Sequence, residues 1–492
     1  MDNIGDLLHG FQVALTGYHL MLMVVGVLFG ILVGVLPGLG APNGVTLLIP
    51  LTFTMEPVSA IILLASMYWG ALFGGSTTSI LFNIPGEPSS VATTFDGHPM
   101  AKQGRATEAL SYAFLSAAFG ALFGVVVITL LAGPAATFAH KFSSPEYFAV
   151  YFLAFACFVG LGGASPFKTL VSAGMGFSLA AVGMDTISGS LRLTFELPDL
   201  IKGVSFLVAV IGLFGIGELI ATMEERLEFR GVHARISPRD VLKTIAALPS
   251  YWVVLVRSSL VGCWMGITPG GPTAASFMSY GLARRFAPRT GEFGKGVPEG
   301  VIAPEAADLA LGIPGSATAA VMMGGLMIWG LHPGPMLFVD QKSFVWGLIA
   351  SMYVANVVAV VLVLFTVPLF AAILRIPFAI IAPLIVVVCF VSAWTVSSSP
   401  FDLWLAFLFG LIGYLFKKCE YPIAPLVLAM VIGDKAEDAF RQSMIIHGGS
   451  LGAFWSNWLC GTIMTLGFVL LLWPLVSSAL QRTKSPPASA GG

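Results

Sequence analysis

Apolar stretches of about the length that crosses a bilayer recur from one end of the chain to the other. They lie near 18–36, 58–84, 107–132, 145–164, 167–187 and 201–222, and then near 250–268, 301–331, 344–374, 377–398, 402–416, 421–433 and 448–480. Composition fits them: 57% of the side chains are hydrophobic and only 10% charged, against roughly 25% charged in a soluble domain. The length of 492 residues would allow about three soluble domains, but the recurring spans favour one large helical membrane domain. The expected fold is therefore an all-α polytopic membrane protein with about 10–13 transmembrane or re-entrant segments.

Charge placement says more than the net charge of −1. The first lysine or arginine is Lys102, so the amino terminus lacks the positive region of a cleavable signal, and the first helix is expected to be retained. Five basic residues between Arg226 and Lys243 form the densest such cluster, which the positive-inside rule places in the cytoplasm. Cys157, Cys263, Cys389, Cys419 and Cys460 show no metal-ligand spacing and read as packing thiols. The histidines are equally scattered, and no GxxxxGK[ST] loop is present. The chain thus brings no ATP motor, metal centre or cofactor of its own, and no nucleic acid is expected among its partners.

Two of the apolar runs are broken in the same way. Gly30, Gly34, Pro37 and Gly38 form GxxxGxxPG, and Gly262, Gly266, Pro269 and Gly270 repeat it about 230 residues later. A second pair keeps the order and nearly the spacing: Ile84-Pro85-Gly86 and Ile313-Pro314-Gly315. The chain reads as two homologous halves, 1–222 and 250–480, joined by a charged cytoplasmic loop at 223–249 and followed by a disordered cytoplasmic tail at 481–492. Inverted repeats with discontinuous helices are the preferred arrangement. An even number of crossings between the copies would instead make the halves parallel.

Inside hydrocarbon, irregular backbone survives only where protein buries it or where it lines a wet cavity. Half-helices meeting at such a break aim free N–H groups at one spot, which suits an anion, while carbonyl ends and hydroxyls suit Na⁺. Gly30 and Gly34, four residues apart, serve equally well for close helix packing, and Pro37 alone would be read as a kink. Polar residues gather beside the first break: Ser76, Thr77, Thr78, Ser79, Asn83, Glu87, Ser89, Ser90 and Asp96. Any one hydroxyl there is expected to bond back to its own helix, but the cluster reads as a lining. In the second half Glu305 and Asp308 lie one turn apart; Pro304 marks a helix start, for which capping is the favoured reading, and a functional intramembrane carboxylate is the alternative.

"GVLPGLGAPNGVTLLIPLTF", "SMYWGALFGGSTTSILFNIPGEPSSVATTFDGHPMAKQGRA", "PEGVIAPEAA", "LGIPGSATAAVMMGGLMIWGLHPGPMLF" and "DAFRQSMIIHGGS" resemble the large membrane subunit of the tripartite tricarboxylate transporters, nearly end to end. The resemblance implies a permease of the bacterial inner membrane working with a small membrane subunit and a periplasmic solute-binding protein. It implies a carboxylate substrate such as citrate or a related dicarboxylate or aromatic acid, a Na⁺ or H⁺ gradient as driving force, and a homodimer with an elevator-like motion. Carried over to this chain, it places the substrate and ion site at Pro37, Gly38, Asn43, Thr77, Thr78, Asn83, Pro85 and Gly86 of the first half. The second half adds Pro269, Gly270, Thr273, Pro314, Gly315, Ser316 and Thr318. Ser76 and Glu305 join them from the polar clusters described above. One departure is visible: Asp308 and Leu309 run almost directly into the IPG motif, without the asparagine pair and apolar stretch usual in the family.

Two other function classes compete. An anion-selective channel could also use half-helix dipoles, but should need no binding protein. An intramembrane aspartyl protease would need two facing aspartates, one of them in GxGD, and Val431 stands where the first glycine before Asp434 should be.

Overall fold

The computed structural model describes residues 2–36, 40–83, 86–139, 142–161, 165–185, 189–224, 237–266, 271–287, 290–310, 316–331, 334, 336–373 and 378–484. Its elements are nearly all helical. The first half holds α1 (Asp2–Ala14), α2 (Gly17–Val35), α3 (Gly40–Leu48), α4 (Pro57–Phe82), α5 (Val91–Met100), α6 (Ala106–Ala139), α7 (Ser144–Leu161), α8 (Pro166–Ala180), α9 (Phe206–Val210) and α10 (Gly217–Glu224). A two-residue hairpin, β1 (Gly183–Met184) with β2 (Leu191–Arg192), pairs antiparallel between α8 and α9. Then follow α11 (Pro238–Ala247), α12 (Trp252–Met265), α13 (Gly271–Phe286), α14 (Glu299–Asp308), α15 (Ala317–Ile328), α16 (Leu337–Asp340), α17 (Lys342–Ile373), α18 (Phe378–Ser397), α19 (Pro400–Lys418), α20 (Ile423–Ile446) and α21 (Trp458–Lys484).

Seven helices among the described residues are long and apolar enough to cross a membrane, and three shorter apolar helices accompany them. The chain is an all-α polytopic membrane protein. Two expected segments differ in detail. The apolar run 301–331 is not one helix, because α14 ends at Asp308 and α15 begins at Ala317. The stretch 223–249 is also partly ordered: α11 occupies 238–247, starting on Pro238 at its first turn with Asp240 beside it. Of the tail, residues 481–484 still belong to α21, and 485–492 lie outside the described residues.

By contacts the chain forms two compact units: Met1–His140, Ser205–Ile267 and Gly271–Cys419 in the first, Lys141–Val204, Thr268–Gly270 and Glu420–Gly492 in the second. In the first unit, α2 and α4 lie against each other along a ladder of glycines. A Cβ on Gly30 would stand 2.0 Å from Met67 O, on Gly34 2.0 Å from Ala71 O, and on Gly70 2.2 Å from Val27 O. Backbones this close need glycine at each crossing, so Gly30 and Gly34 serve helix packing. The same device seats α14. A Cβ on Gly120 would meet Ala306 O at 2.1 Å, and one on Gly262 would meet Ala307 O at 2.2 Å. The core of this unit, built on residues such as Phe73, Phe114, Val301 and Ile302, surrounds both packings.

Local chemistry sets the helix ends. Ser399 caps α19 through the Phe401 N–H, with Pro400 in the first turn, Asp402 near the start and Lys417 and Lys418 at the end, as the helix dipole favours. In the second unit α7, α8, α20 and α21 pack together through phenylalanines, with Phe148 of α7 and Phe440 of α20 at 5.1 Å between ring centroids.

Candidate substrate and ion site

Where the sequence predicts a first break, α2 stops at Val35 and a separate short helix, α3, begins at Gly40 in a left-handed conformation (φ 61°). The break itself, with Pro37 and Gly38, lies outside the described residues, as do Pro85, Pro269, Gly270, Pro314 and Gly315. What the structure places are their flanks. Gly86 returns against the α2–α4 crossing, where a Cβ would stand 2.4 Å from Gly75 Cα and 2.9 Å from Gly34 O. Only glycine fits there.

The start of α3 is a helix N-terminus whose free Ala41 N–H meets a carboxyl group of the chain itself. Glu87 Oε1 accepts the Ala41 N–H at 2.6 Å. Asn43 follows one turn later and is buried, 2% exposed. Glu87 is fixed in turn by its neighbours: Ser90 Oγ donates to its carbonyl at 2.8 Å, and Ser79 Oγ donates to Ser90 Oγ at 2.8 Å.

The last turns of α4 carry the hydroxyl cluster, all of it buried. Thr77 donates to Phe73 O at 2.9 Å and Thr78 to Gly75 O at 2.8 Å, each bonding back to its own helix. Ser76 behaves differently. Its Oγ stands 2.9 Å from Glu305 Oε2, closer than its 3.1 Å approach to Leu72 O. Thr93 of α5 donates to the other oxygen, Glu305 Oε1, at 2.7 Å. Glu305 is 1% exposed and makes no ion pair with any described basic residue. A carboxylate this deep is costly unless hydroxyls or a cation satisfy it.

The capping reading of Glu305 fails on position. Pro304 sits inside α14, which begins at Glu299, so Glu305 is near the helix end and not at its start. Asp308, a turn further on, lies close enough to act electrostatically on both Glu87 and Glu305. Three carboxylates from the two halves thus share one neighbourhood rich in serine and threonine hydroxyls.

Asn83 has a local explanation. It takes the left-handed region (φ 58°) as the C-cap of α4, with its N–H on Thr78 O and its side chain exposed. Asparagine tolerates that conformation better than most residues. In the second half Ser316 caps α15, accepting the Ala319 N–H at 3.1 Å, and its Oγ lies 3.4 Å from the Tyr68 hydroxyl of α4. Thr318 is buried at the same helix start, and Thr273 lies half-buried in the first turn of α13. Beside these residues opens a cavity of about 300 Å³, apolar except for Tyr68 and Asp308, with no basic side chain lining it.

Glu87 and Asp308 stand in the polar clusters seen in the sequence but carry no assigned site role there, and Thr93 and Tyr68 are not singled out at all. Glu87 stands directly after the IPG motif, a position that could have flagged it. Tyr68 and Thr93 carried no such signal. One further acid organises the surroundings. Asp96 is wholly buried; its Oδ1 accepts the N–H groups of Gly294, Gly296 and Val297 at 2.8–3.0 Å, and its Oδ2 accepts the Tyr280 hydroxyl at 2.9 Å. It ties the segment before α14 to α5, and so positions Glu305.

Residues 20–428 match the model of the tripartite tricarboxylate transporter TctA family. The chain is 34% identical to an uncharacterized 52.8 kDa protein in the TAR-I ttuC′ 3′ region of Agrobacterium vitis, with 97% of each chain covered. It is 32% identical to an uncharacterized protein in the TAR-II ttuC′ 3′ region of the same organism, over 44% of this chain and 95% of that one. No solved structure matches.

Proposed function

The chain belongs to the tripartite tricarboxylate transporter TctA family, and from that membership we propose that it is the permease of a binding-protein-dependent secondary transporter importing a carboxylate. Family membership identifies it as a large membrane subunit of this transporter class and implies transport in place of catalysis. The finer reading is ours: import of citrate or a related dicarboxylate or aromatic acid across a bacterial inner membrane, driven by Na⁺ or H⁺. A periplasmic solute-binding protein delivers the substrate, a small membrane subunit completes the complex, and the permease works as a homodimer. No organic cofactor takes part.

The observation that carries this reading is Glu305, buried between Ser76 and Thr93 with Asp308 and Glu87 nearby and no basic partner among the described residues. Such a group suits a coupling cation, because hydroxyl and carboxylate oxygens are hard ligands and a gained positive charge would relieve the burial cost. The substrate anion enters at the helix starts of α3 and α15. At α3 it meets Glu87, which already occupies the Ala41 N–H. Substrate binding there requires that Glu87 yield, by moving or by taking a proton. Pro37, Gly38, Asn43, Gly86 and their second-half counterparts Pro269, Gly270, Pro314, Gly315, Ser316 and Thr318 form the surround of this site in our reading, with the halves inverted about the membrane plane.

Uptake into proteoliposomes by Glu305→Gln tests the coupling role. The substitution keeps the shape and the hydroxyl partners but removes the charge. Loss of gradient-driven accumulation, with the protein still inserted, is expected; unchanged dependence on the gradient would remove Glu305 from the coupling site.

A further inference from the structure

The second compact unit holds a cavity of about 660 Å³ that the transport reading does not use. Its walls come from α7, α8, α20 and α21, and five phenylalanines dominate them: Phe148, Phe152, Phe155, Phe177 and Phe440. Phe155 and Phe177 approach to 4.4 Å between centroids and Phe148 and Phe440 to 5.1 Å, so the rings form continuous aromatic walls. One charged group enters this surface without a direct hydrogen-bond or ion-pair partner among the described residues. Asp434 of α20 lines the cavity, is exposed, and makes no hydrogen bond or ion pair with another described residue.

Its neighbour shows what satisfaction looks like in the same place. Glu437, one turn along α20, accepts Arg192 Nη1 at 2.9 Å and pairs with Arg441 Nη2 at 2.7 Å. Asp185 takes the other face of Arg441 at 2.9 Å, so two carboxylates and two guanidiniums close on themselves. Lys435 is adjacent in sequence but lies about 100° around the helix and does not line the cavity. Asp434, which feels Arg192 and Lys435 only at a distance, is thus the carboxylate left without a direct partner among the described residues, beside apolar walls.

We propose that this cavity binds an ammonium-headed amphiphile, with the cationic head against Asp434 and the apolar body among the phenylalanines. Three physical features converge on that chemistry. An unpaired carboxylate beside apolar surface gains most from a cation that need not be fully hydrated. Aromatic faces attract such cations, and organic ammonium groups above all. The volume falls in the range of small-molecule pockets, with too few polar groups to suit water or a polyanion. The head can come from an aminophospholipid of the bilayer or from a soluble aryl or alkyl ammonium compound. This inference stands independently of the transport reading.

The test uses the full chain in nanodiscs of phosphatidylglycerol, which supply no ammonium group. Calorimetric titration is run with dihexanoyl phosphatidylethanolamine in one arm and benzyltrimethylammonium in the other, and dihexanoyl phosphatidylglycerol is the control. Wild type is expected to bind one equivalent of at least one ammonium probe and none of the control. Asp434→Asn should weaken that binding about tenfold or more, and Phe177→Leu, which trims one exposed ring of the wall, several-fold. Binding of the lipid analogue alone identifies a lipid source; binding of benzyltrimethylammonium alone identifies a soluble one. No binding by either probe, equal binding of the control, or wild-type affinity in both variants would overturn the proposal.

Discussion

Replacing Gly34 by alanine would place a methyl carbon 2.0 Å from Ala71 O, and replacing Gly30 would place one 2.0 Å from Met67 O. Ordinary contact for such a carbon begins near 3.4 Å, so α2 and α4 must separate locally by about 1.5 Å. Both clashes are with main chain on a facing helix, which has no rotamer to give. Overpacking of this kind costs about 1–3 kcal/mol, and the separation would also disturb Gly86, which rests against the same crossing. Two other glycines supply the opposite sign. Around Gly281 of α13 and Gly174 of α8 nothing stands within 4 Å of an added Cβ, so alanine there gains about 0.5–1 kcal/mol of helix propensity. Thermal unfolding of the purified protein in one detergent reads all four. Gly30→Ala and Gly34→Ala should lower the midpoint by about 1–3 °C, while Gly281→Ala and Gly174→Ala leave it equal or slightly higher. A rise for Gly34→Ala comparable to that for Gly281→Ala would refute the close α2–α4 approach.

Asn83→Gly should retain stability and uptake, because glycine accepts the left-handed cap, whereas Asn83→Ala should cost about 1–2 kcal/mol in thermal unfolding; equal loss in both would mean the amide itself is used. Asp96→Ala strands three N–H groups and the Tyr280 hydroxyl and should destabilise the protein by more than 3 kcal/mol, read by unfolding midpoint or loss of folded yield. Ser76→Ala and Thr93→Val, singly, should shift the dependence of uptake on the coupling ion while leaving the fold intact, since each removes one hydroxyl from Glu305. Cysteines placed at the exposed Leu51 and Phe286, in a background lacking the native thiols, should label from opposite membrane faces if the halves are inverted; labelling from one face would make them parallel.

Much of the fold was legible because long apolar runs and Pro-Gly breaks act through local physics. A hydrocarbon interior forces helices, and a proline with glycines ends one, so α2 and α4 could be placed from the residues alone, whereas the short α3 was not among the expected segments. The reading went astray where a proline had two meanings. Pro304 looked like a helix start, yet tertiary packing of Gly120 and Gly262 against Ala306 and Ala307 carries α14 through it. The site was half legible for a related reason. Clustered hydroxyls announced a lining, but which of them turns outward depends on what faces it: Ser76 meets Glu305, whereas Thr77 and Thr78 bond to their own helix. Such pairings join residues more than 200 positions apart, and no local pattern encodes them. The same holds for Glu87 at the start of α3, where the chain supplies the anion that the dipole invites.

In the proposed mechanism a carboxylate passes through the buried site around Glu305. This passage is tested most directly by uptake of radiolabelled citrate and a panel of dicarboxylates and aromatic acids into proteoliposomes containing this chain and its small partner subunit. The vesicles are run with and without the binding protein, under imposed Na⁺ or H⁺ gradients. Saturable, gradient-driven accumulation of one panel member is expected, dependent on the binding protein and lost in Glu305→Gln. Correctly inserted protein that accumulates no carboxylate under either gradient would contradict the mechanism.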